Sequence, residues 1–352
     1  MEEVKELLGS LGLLEIDGYK FSKKLSGGSA LSSLYVKNDE KVVFKFLIAP
    51  RNCIELERFK LEFSVLNNNK VNFLYNERRM FLFLGPEASY PLPRIKCELR
   101  SKFSDLVNYF AYAYEDGELL SSLTSKLESS EDKILLLYRL SSGLNYFNQV
   151  GYSHRDLHPS NILLLDGFQM TKDRSQENDP RVKFLDMGNC QKNRENSDII
   201  PLERDLDEDA VFKDNNRRIL ASFVSMPPDF LRKGEFTKNY DSWSFGIYAY
   251  QLLFGETPFE ANQIGDITSL LETREFNENY EINLNSLSVG MKLVLKHLLS
   301  PDGESRPSID TIVRLFHWLV NENKRFQNSI FIKEVIHNDG FDPYHNPIDD
   351  YY

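Results

Sequence analysis

The chain has 352 residues, 41% of them hydrophobic and 27% charged, the proportions of a globular protein with one large or two smaller domains. A formal net charge of −11 argues against a nucleic-acid or anionic-membrane surface, since either would show a basic patch. Three cysteines (Cys53, Cys97 and Cys190) are too few and too scattered for a disulfide framework or a zinc site.

The opening MEEVKELLGSLGLLEIDGYK is acidic and lacks a basic stretch followed by a long apolar run, so no secretory signal is expected. Within it, Val4, Leu7, Leu8, Leu11 and Leu14 recur at helical spacing and predict a short amphipathic helix. From Tyr19 the pattern turns to strands: YKFSKKL, then SSLYVK and KVVFKFLI joined by the turn-like NDE. IELERFKLEFSVLNN predicts a helix with Leu56, Phe59, Phe63 and Leu66 on one face, and MFLFLG and FAYAYED read as further strands.

Beyond Gly117 the character is mainly helical. DKILLLYRLSSGLNYFNQVG predicts a buried helix, with Gly151 where a C-terminal cap belongs. NILLLD and RVKFLD read as short strands flanking a polar surface loop, GFQMTKDRSQENDP. YDSWSFGIYAYQLLFG is apolar nearly all round, which predicts a helix at the centre of its domain. Its most continuous apolar run, Ile247 to Phe254, is far short of the ~20 residues that span a bilayer, so no membrane partner is expected.

The expected organisation is α+β. A helical extension at 1–18 precedes a domain at 19–325, and a tail without periodicity follows at 326–352. The domain divides into a small strand-rich part, about 19–114, and a larger helical part, about 115–325.

Chemistry concentrates in HRDLHPSNILLLD, residues 154–166. Asp156 and Asn161 stand five apart in a loop that runs into an apolar strand. A carboxylate and an amide so placed hold a metal ion and a proton acceptor together, or they cap a turn. Lys45, inside VVFKFL, is costly to bury unless paired, or else it snorkels to the surface.

The chain resembles a eukaryotic-type (Hanks-type) serine/threonine protein kinase over about residues 20–320. His154, Arg155, Asp156, Leu157 and Asn161 match the catalytic-loop pattern H-R-D-L-x-x-x-N. LDMG at 185–188 stands where the family has D-F-G, VVFK at 42–45 where it has V-A-I-K, and FKLEFSVL at 59–66 is similar to the helix of the partner glutamate. PPDFL at 227–231, DSWSFG at 241–246, LLFGETPF at 252–259 and SRP at 305–307 follow in the family's order.

The resemblance implies a bilobal fold, Mg-ATP (or Mn-ATP) as cofactor, and a protein hydroxyl as phosphoryl acceptor. It implies that Lys45 holds the α- and β-phosphates, oriented by Glu62, and that Asp186 and Asn161 bind magnesium. Asp156 becomes the catalytic base. Tyr112 to Tyr114 form the hinge at the nucleotide, and Glu118 contacts ribose or substrate. Asp241 ties down the catalytic-loop backbone, His154 packs beneath it, and Asp229 with Arg306 forms a buried ion pair.

The chain departs from the family in four places. In the phosphate-covering loop, Ser26, Gly28, Leu31 and Ser33 fall at the G-x-G-x-x-G-x-V positions, with Gly27 and Ser29 still able to approach phosphate. His158 stands where a lysine usually steadies the transferring group, which predicts pH-dependent turnover, and Pro159 favours the serine/threonine type. Met187 replaces Phe. Asp186 and Pro228 are 42 residues apart, a long segment in which Ser197, Ser222 and Ser225 are candidates for self-phosphorylation beside Arg155.

Three functions follow: an active protein kinase, a pseudokinase scaffold, or a small-molecule kinase on the same fold. A cytoplasmic location is expected, or the host cytosol for a delivered effector, with ATP and a protein substrate as partners and no nucleic acid.

Overall fold

The computed structural model describes residues 2–25, 30–53, 55–67, 92–123, 127–149, 152–168, 170, 181–192, 225–229, 239–259 and 276–321. MFLFLG, Gly151 and the tail from 326 lie outside the described residues.

The chain starts with helix α1 (Glu2–Ser10), followed by β1 (Glu15–Ile16), β2 (Tyr19–Lys24), β3 (Leu31–Lys37) and β4 (Glu40–Ile48). A helix over 55–67, here α2, precedes β5 (Ile95–Lys102) and β6 (Val107–Ala113). Next come β7 (Gly117–Leu119), α3 (Leu120–Leu123), α4 (Ser130–Gln149), β8 (Tyr152–Ser153), β9 (Ile162–Leu165), β10 (Val182–Phe184) and β11 (Gln191–Lys192). Four helices complete the order: α5 (Tyr240–Phe254), α6 (Tyr280–Asn285), α7 (Val289–Leu298) and α8 (Ile309–Val320). Two units emerge. One comprises Met1–Glu118, Leu163–Gly167 and Pro180–Cys190, and the other holds the described residues from Leu119 onward outside those stretches.

The first unit is built on an antiparallel sheet in the order β1-β2-β3-β4-β6-β5. The expected NDE turn is a two-residue hairpin at Asn38 and Asp39, with φ of 47° and 67°. Both residue types tolerate that left-handed backbone, which matches the twist of the flanking strands. Strand β5 was not among the expected elements, although IKCELR alternates apolar and charged side chains as a half-buried strand does.

Strand β4 is buried from Val42 through Leu47, so both faces of the sheet are covered. One face carries Val42, Phe44 and Phe46, which cluster with Tyr35 and Tyr109 and with Leu8, Leu13 and Ile16 from the chain's start. The Tyr35 hydroxyl donates to the Leu13 carbonyl at 2.6 Å, and Arg100 pairs with Asp17 at 2.8 Å. Residues 2–16 therefore form the outer layer of this unit's core. On the opposite face Phe110, the register partner of Lys45, packs against Phe59 and Phe63 of α2 with ring centroids 5.0 and 5.6 Å apart.

Ser33 pairs with Phe44 and shares its apolar face. It is fully buried, and its hydroxyl has no hydrogen-bond partner among the described residues. Desolvating a hydroxyl without a partner costs about 1–3 kcal/mol. Ser33→Ala is therefore expected to raise stability by about 1 kcal/mol, read as a Tm increase of about 2–4 °C by calorimetry.

In the second unit α4 packs on α8, and α5 is buried along most of its length, Trp243, Ala249 and Tyr250 completely. Gly246 makes the contact of α5 with α7 possible, because an added Cβ would stand 2.8 Å from Leu298 Cβ. Arg306 and Asp229 form a buried ion pair at 2.6 Å. Among the described residues no helix is long and apolar enough to cross a membrane.

Candidate active site

In the first unit, the backbone pattern of β4 turns Lys45 onto the face covered by α2, where only 8% of the residue is exposed. Its Nζ lies 2.7 and 2.5 Å from the two carboxylate oxygens of Glu62 on α2, and 3.4 Å from Asp186 Oδ1. Burial alone would lower the lysine's pKa, but Glu62, Asp186 and Tyr112 outweigh it and raise it. Burial pushes Glu62 up, to about 7, against the pull of the Lys45 ammonium. The cluster keeps the lysine charged and fixes its head group.

Asp186 follows β10 with φ +60°, a left-handed backbone that Asp adopts more readily than most residues, and the 3-10 turn Met187–Asn189 comes next. Met187 is fully buried and Cys190 Sγ lies 3.4 Å from its sulfur, so the substituted position is filled by a soft, adaptable side chain.

Tyr112 lies on β6 opposite Val43, on the same face as Lys45. Burial pushes its phenol up to about 12, and its side chain hydrogen-bonds to Ser32. Ser32 is the register partner of Lys45, so Ser32 rather than Ser33 occupies the strand position beside the lysine. The motif spacing puts Ser33 at the last position of G-x-G-x-x-G-x-V, and only the pairing shows which serine stands beside the lysine. Tyr114 and Glu118 lie in the segment after β6: the Tyr114 amide donates to Lys41 O at 3.2 Å, and Glu118 is exposed on β7. Ser26, Gly27, Gly28 and Ser29 lie outside the described residues, as do Ser197 and Ser222. Ser225 is buried, and its carbonyl accepts from the Ser244 hydroxyl at 2.6 Å.

In the second unit the loop 154–161 is pinned from beneath. Asp241, buried at the start of α5, accepts from the His154 amide at 2.7 Å and the Arg155 amide at 2.9 Å. Burial raises its pKa against those two bonds. His154 is fully buried, and its Nδ1 accepts from the Asp156 amide at 3.3 Å. Asn161 Nδ2 donates to the Asp156 carbonyl at 3.0 Å, which leaves the amide oxygen to take a hard cation. His158 caps the 3-10 turn Pro159–Asn161, its Nδ1 accepting from the Ser160 amide at 3.3 Å. Arg155, with φ +63°, lies over the Tyr240 ring at 5.5 Å.

Among the described residues no three His, Cys, Asp or Glu side chains cluster as a metal site. The Asp186 carboxylate of the first unit and, separately, the Asn161 amide of the second are each hard oxygen donors of the kind magnesium takes. Within the first unit, the buried Lys45 ammonium beside the Asp186 carboxylate suits phosphate oxygens and a hard cation.

The chain is thus of the α+β class, and each of its two units carries one of these residue sets. Residues 100–318 match the family described as protein kinase domain, more than half of the chain, and the chain belongs to the eukaryotic-type protein kinase family. It is 26% identical to protein kinase C-like 2 of Schizosaccharomyces pombe over 282 residues, 78% of this chain and 24% of the relative. It is 30% identical to a putative serine/threonine-protein kinase of Acanthamoeba polyphaga mimivirus over 159 residues, 44% of this chain and 32% of the relative. With the ovarian-specific serine/threonine-protein kinase Lok of Drosophila melanogaster it shares 26% identity over 202 residues, 56% of this chain and 37% of the relative. The chain thus spans only about a quarter to a third of the length of most of these relatives.

Proposed function

We propose that the protein transfers the γ-phosphoryl group of Mg-ATP to a serine or threonine hydroxyl of a protein substrate. The observation that carries this reading is the buried Lys45 held by both oxygens of Glu62 with Asp186 at 3.4 Å. Burying an ammonium carries a desolvation cost that an ion pair need not repay, and holding phosphate is a use that accounts for it. When bound, magnesium neutralises the phosphate oxygens and the nucleotide supplies the phosphoryl group. Lys45 orients the phosphates, Asp186 and Asn161 hold the cation, and Asp156 takes the proton of the attacking hydroxyl. His158 caps the turn Pro159–Asn161 that carries Asn161. The serine/threonine assignment is supported by Pro159 and by the relatives' names, and the cytoplasm is the proposed location.

The test is incorporation of labelled phosphate from Mg-ATP into the protein itself and into generic acceptor proteins. Incorporation is expected with wild type and its loss with Asp186→Ala. A well-folded wild type that incorporates none, with every acceptor tried, would assign the chain to a scaffold instead.

A further inference from the structure

The segment joining β6 to α3 is held at each residue from 114 to 117. Lys41 Nζ stands 5.4 Å from the Tyr114 ring centroid and 3.1 Å from the Asp116 carboxylate. The Asp116 carbonyl accepts from the Asp166 amide at 3.0 Å. Gly117 lies so close to β9 that an added Cβ would run into the Leu164 carbonyl and stand 2.9 Å from Leu165 Cα. Glu115 is met from β10 instead, where Lys183 Nζ lies 3.1 Å from its Oε2.

The Lys183 contact differs in kind from the Lys41 contacts. Lys41 and Asp116 are both exposed, so their attraction is screened and small. The Lys183 side chain is 1% exposed, on the outer strand of the small sheet β10-β9-β7. Burial lowers its pKa, with Arg94 acting in the same direction and Glu115 opposing both. A leucine or methionine at this position would avoid that cost, and Glu115, whose side chain is 31% exposed, would keep contact with water once unpaired. The ammonium therefore has a use other than stability. What it adds is a fixed link: β10 ends two residues before Asp186, and Glu115 directly follows the 112–114 hinge.

We propose that Lys183 is a positioning residue for the nucleotide, its ion pair with Glu115 setting the hinge segment in register with the strand that presents Asp186. This rests on the kinase reading, in which the hinge receives the base and Asp186 the metal. Lys183 touches neither. It fixes the spacing between the two elements that do, so its loss weakens nucleotide binding while the chemistry at Asp156 is untouched.

The experiment compares full-length wild type, Lys183→Met and the exchanged pair Lys183→Glu/Glu115→Lys. It measures ADP binding in magnesium by calorimetry, KM for ATP against kcat, and Tm. For Lys183→Met the expected result is a Tm equal to or above wild type, with Kd for ADP and KM for ATP each raised about 10-fold and kcat within about two-fold. The exchanged pair is expected to recover most of the affinity. A Lys183→Met protein that binds ADP as wild type does overturns the inference alone. So does one whose Tm and affinity fall together with no recovery in the exchanged pair, since that marks a purely structural role. A wild type that binds no ADP overturns the kinase reading and the inference with it.

Discussion

An Asp156→Asn protein is expected to fold and bind nucleotide as wild type does, and to transfer phosphoryl groups about 10²–10⁴-fold more slowly. Two contacts that shape the loop use the Asp156 backbone: its amide donates to His154 Nδ1 and its carbonyl accepts from Asn161. Asparagine keeps both and nearly the same volume, but it cannot accept a proton from an attacking hydroxyl. Single-turnover kinetics at saturating Mg-ATP read the chemical step, and Tm reads the fold. Asp241→Asn is the informative contrast. Its carboxylate oxygens accept from two backbone amides, and an amide side chain offers one oxygen where two are needed. One buried N–H of the loop then loses its partner, a cost of about 1–3 kcal/mol. Activity and Tm are expected to fall together there, whereas Asp156→Asn separates them. If Asp156→Asn retained more than a tenth of the wild-type rate, the assignment of Asp156 as the base would be wrong.

The second large effect is structural. Removal of residues 2–14 takes Leu8 and Leu13, both fully buried, out of the core of the first unit. It uncovers Tyr35, Phe44, Phe46 and Tyr109 and takes away the carbonyl that the Tyr35 hydroxyl meets. Two fully buried leucines alone contribute about 3–6 kcal/mol, a large part of the about 5–15 kcal/mol that holds a domain folded. The truncated protein is expected to lose at least about 10 °C in Tm or to aggregate. Leu13→Ala is expected to cost about 2–5 kcal/mol in urea unfolding without touching any residue of the candidate site. A truncated chain with wild-type stability would show the segment to be a dispensable appendage.

That second effect marks where sequence reasoning stopped. The spacing of Val4, Leu7, Leu8, Leu11 and Leu14 predicts an amphipathic helix, but periodicity says which face is apolar and not what covers it. The covering partner, the Phe44–Phe46 face, is 30 residues away and follows a different period. Motifs were legible for a different reason: the order and spacing of Lys45, Glu62, Asp156, Asn161 and Asp186 resemble those of the protein kinase family, and short local patterns carry that resemblance. Long-range pairing was not legible. Whether Ser32 or Ser33 faces Lys45 depends on strand register, and Lys183 finds Glu115 across 68 positions of chain. Gly117 carried no signal either, because only the backbone of β9 beside it excludes a side chain.

The split make-up of the first unit bears on how the protein is synthesised. Its sheet and α1 are complete once residue 118 has been made, yet Leu163–Gly167 and Pro180–Cys190 belong to it as well. On the ribosome, Glu115 emerges long before Lys183, and Gly117 before the Leu164 carbonyl that crowds it. The nascent N-terminal part must therefore wait, incomplete at one edge, while about 70 further residues are translated at about 5–20 residues per second. For those several seconds the segment 114–117 lacks its buried partner, and a ribosome-bound chain stalled before residue 180 would present that edge to chaperones and proteases.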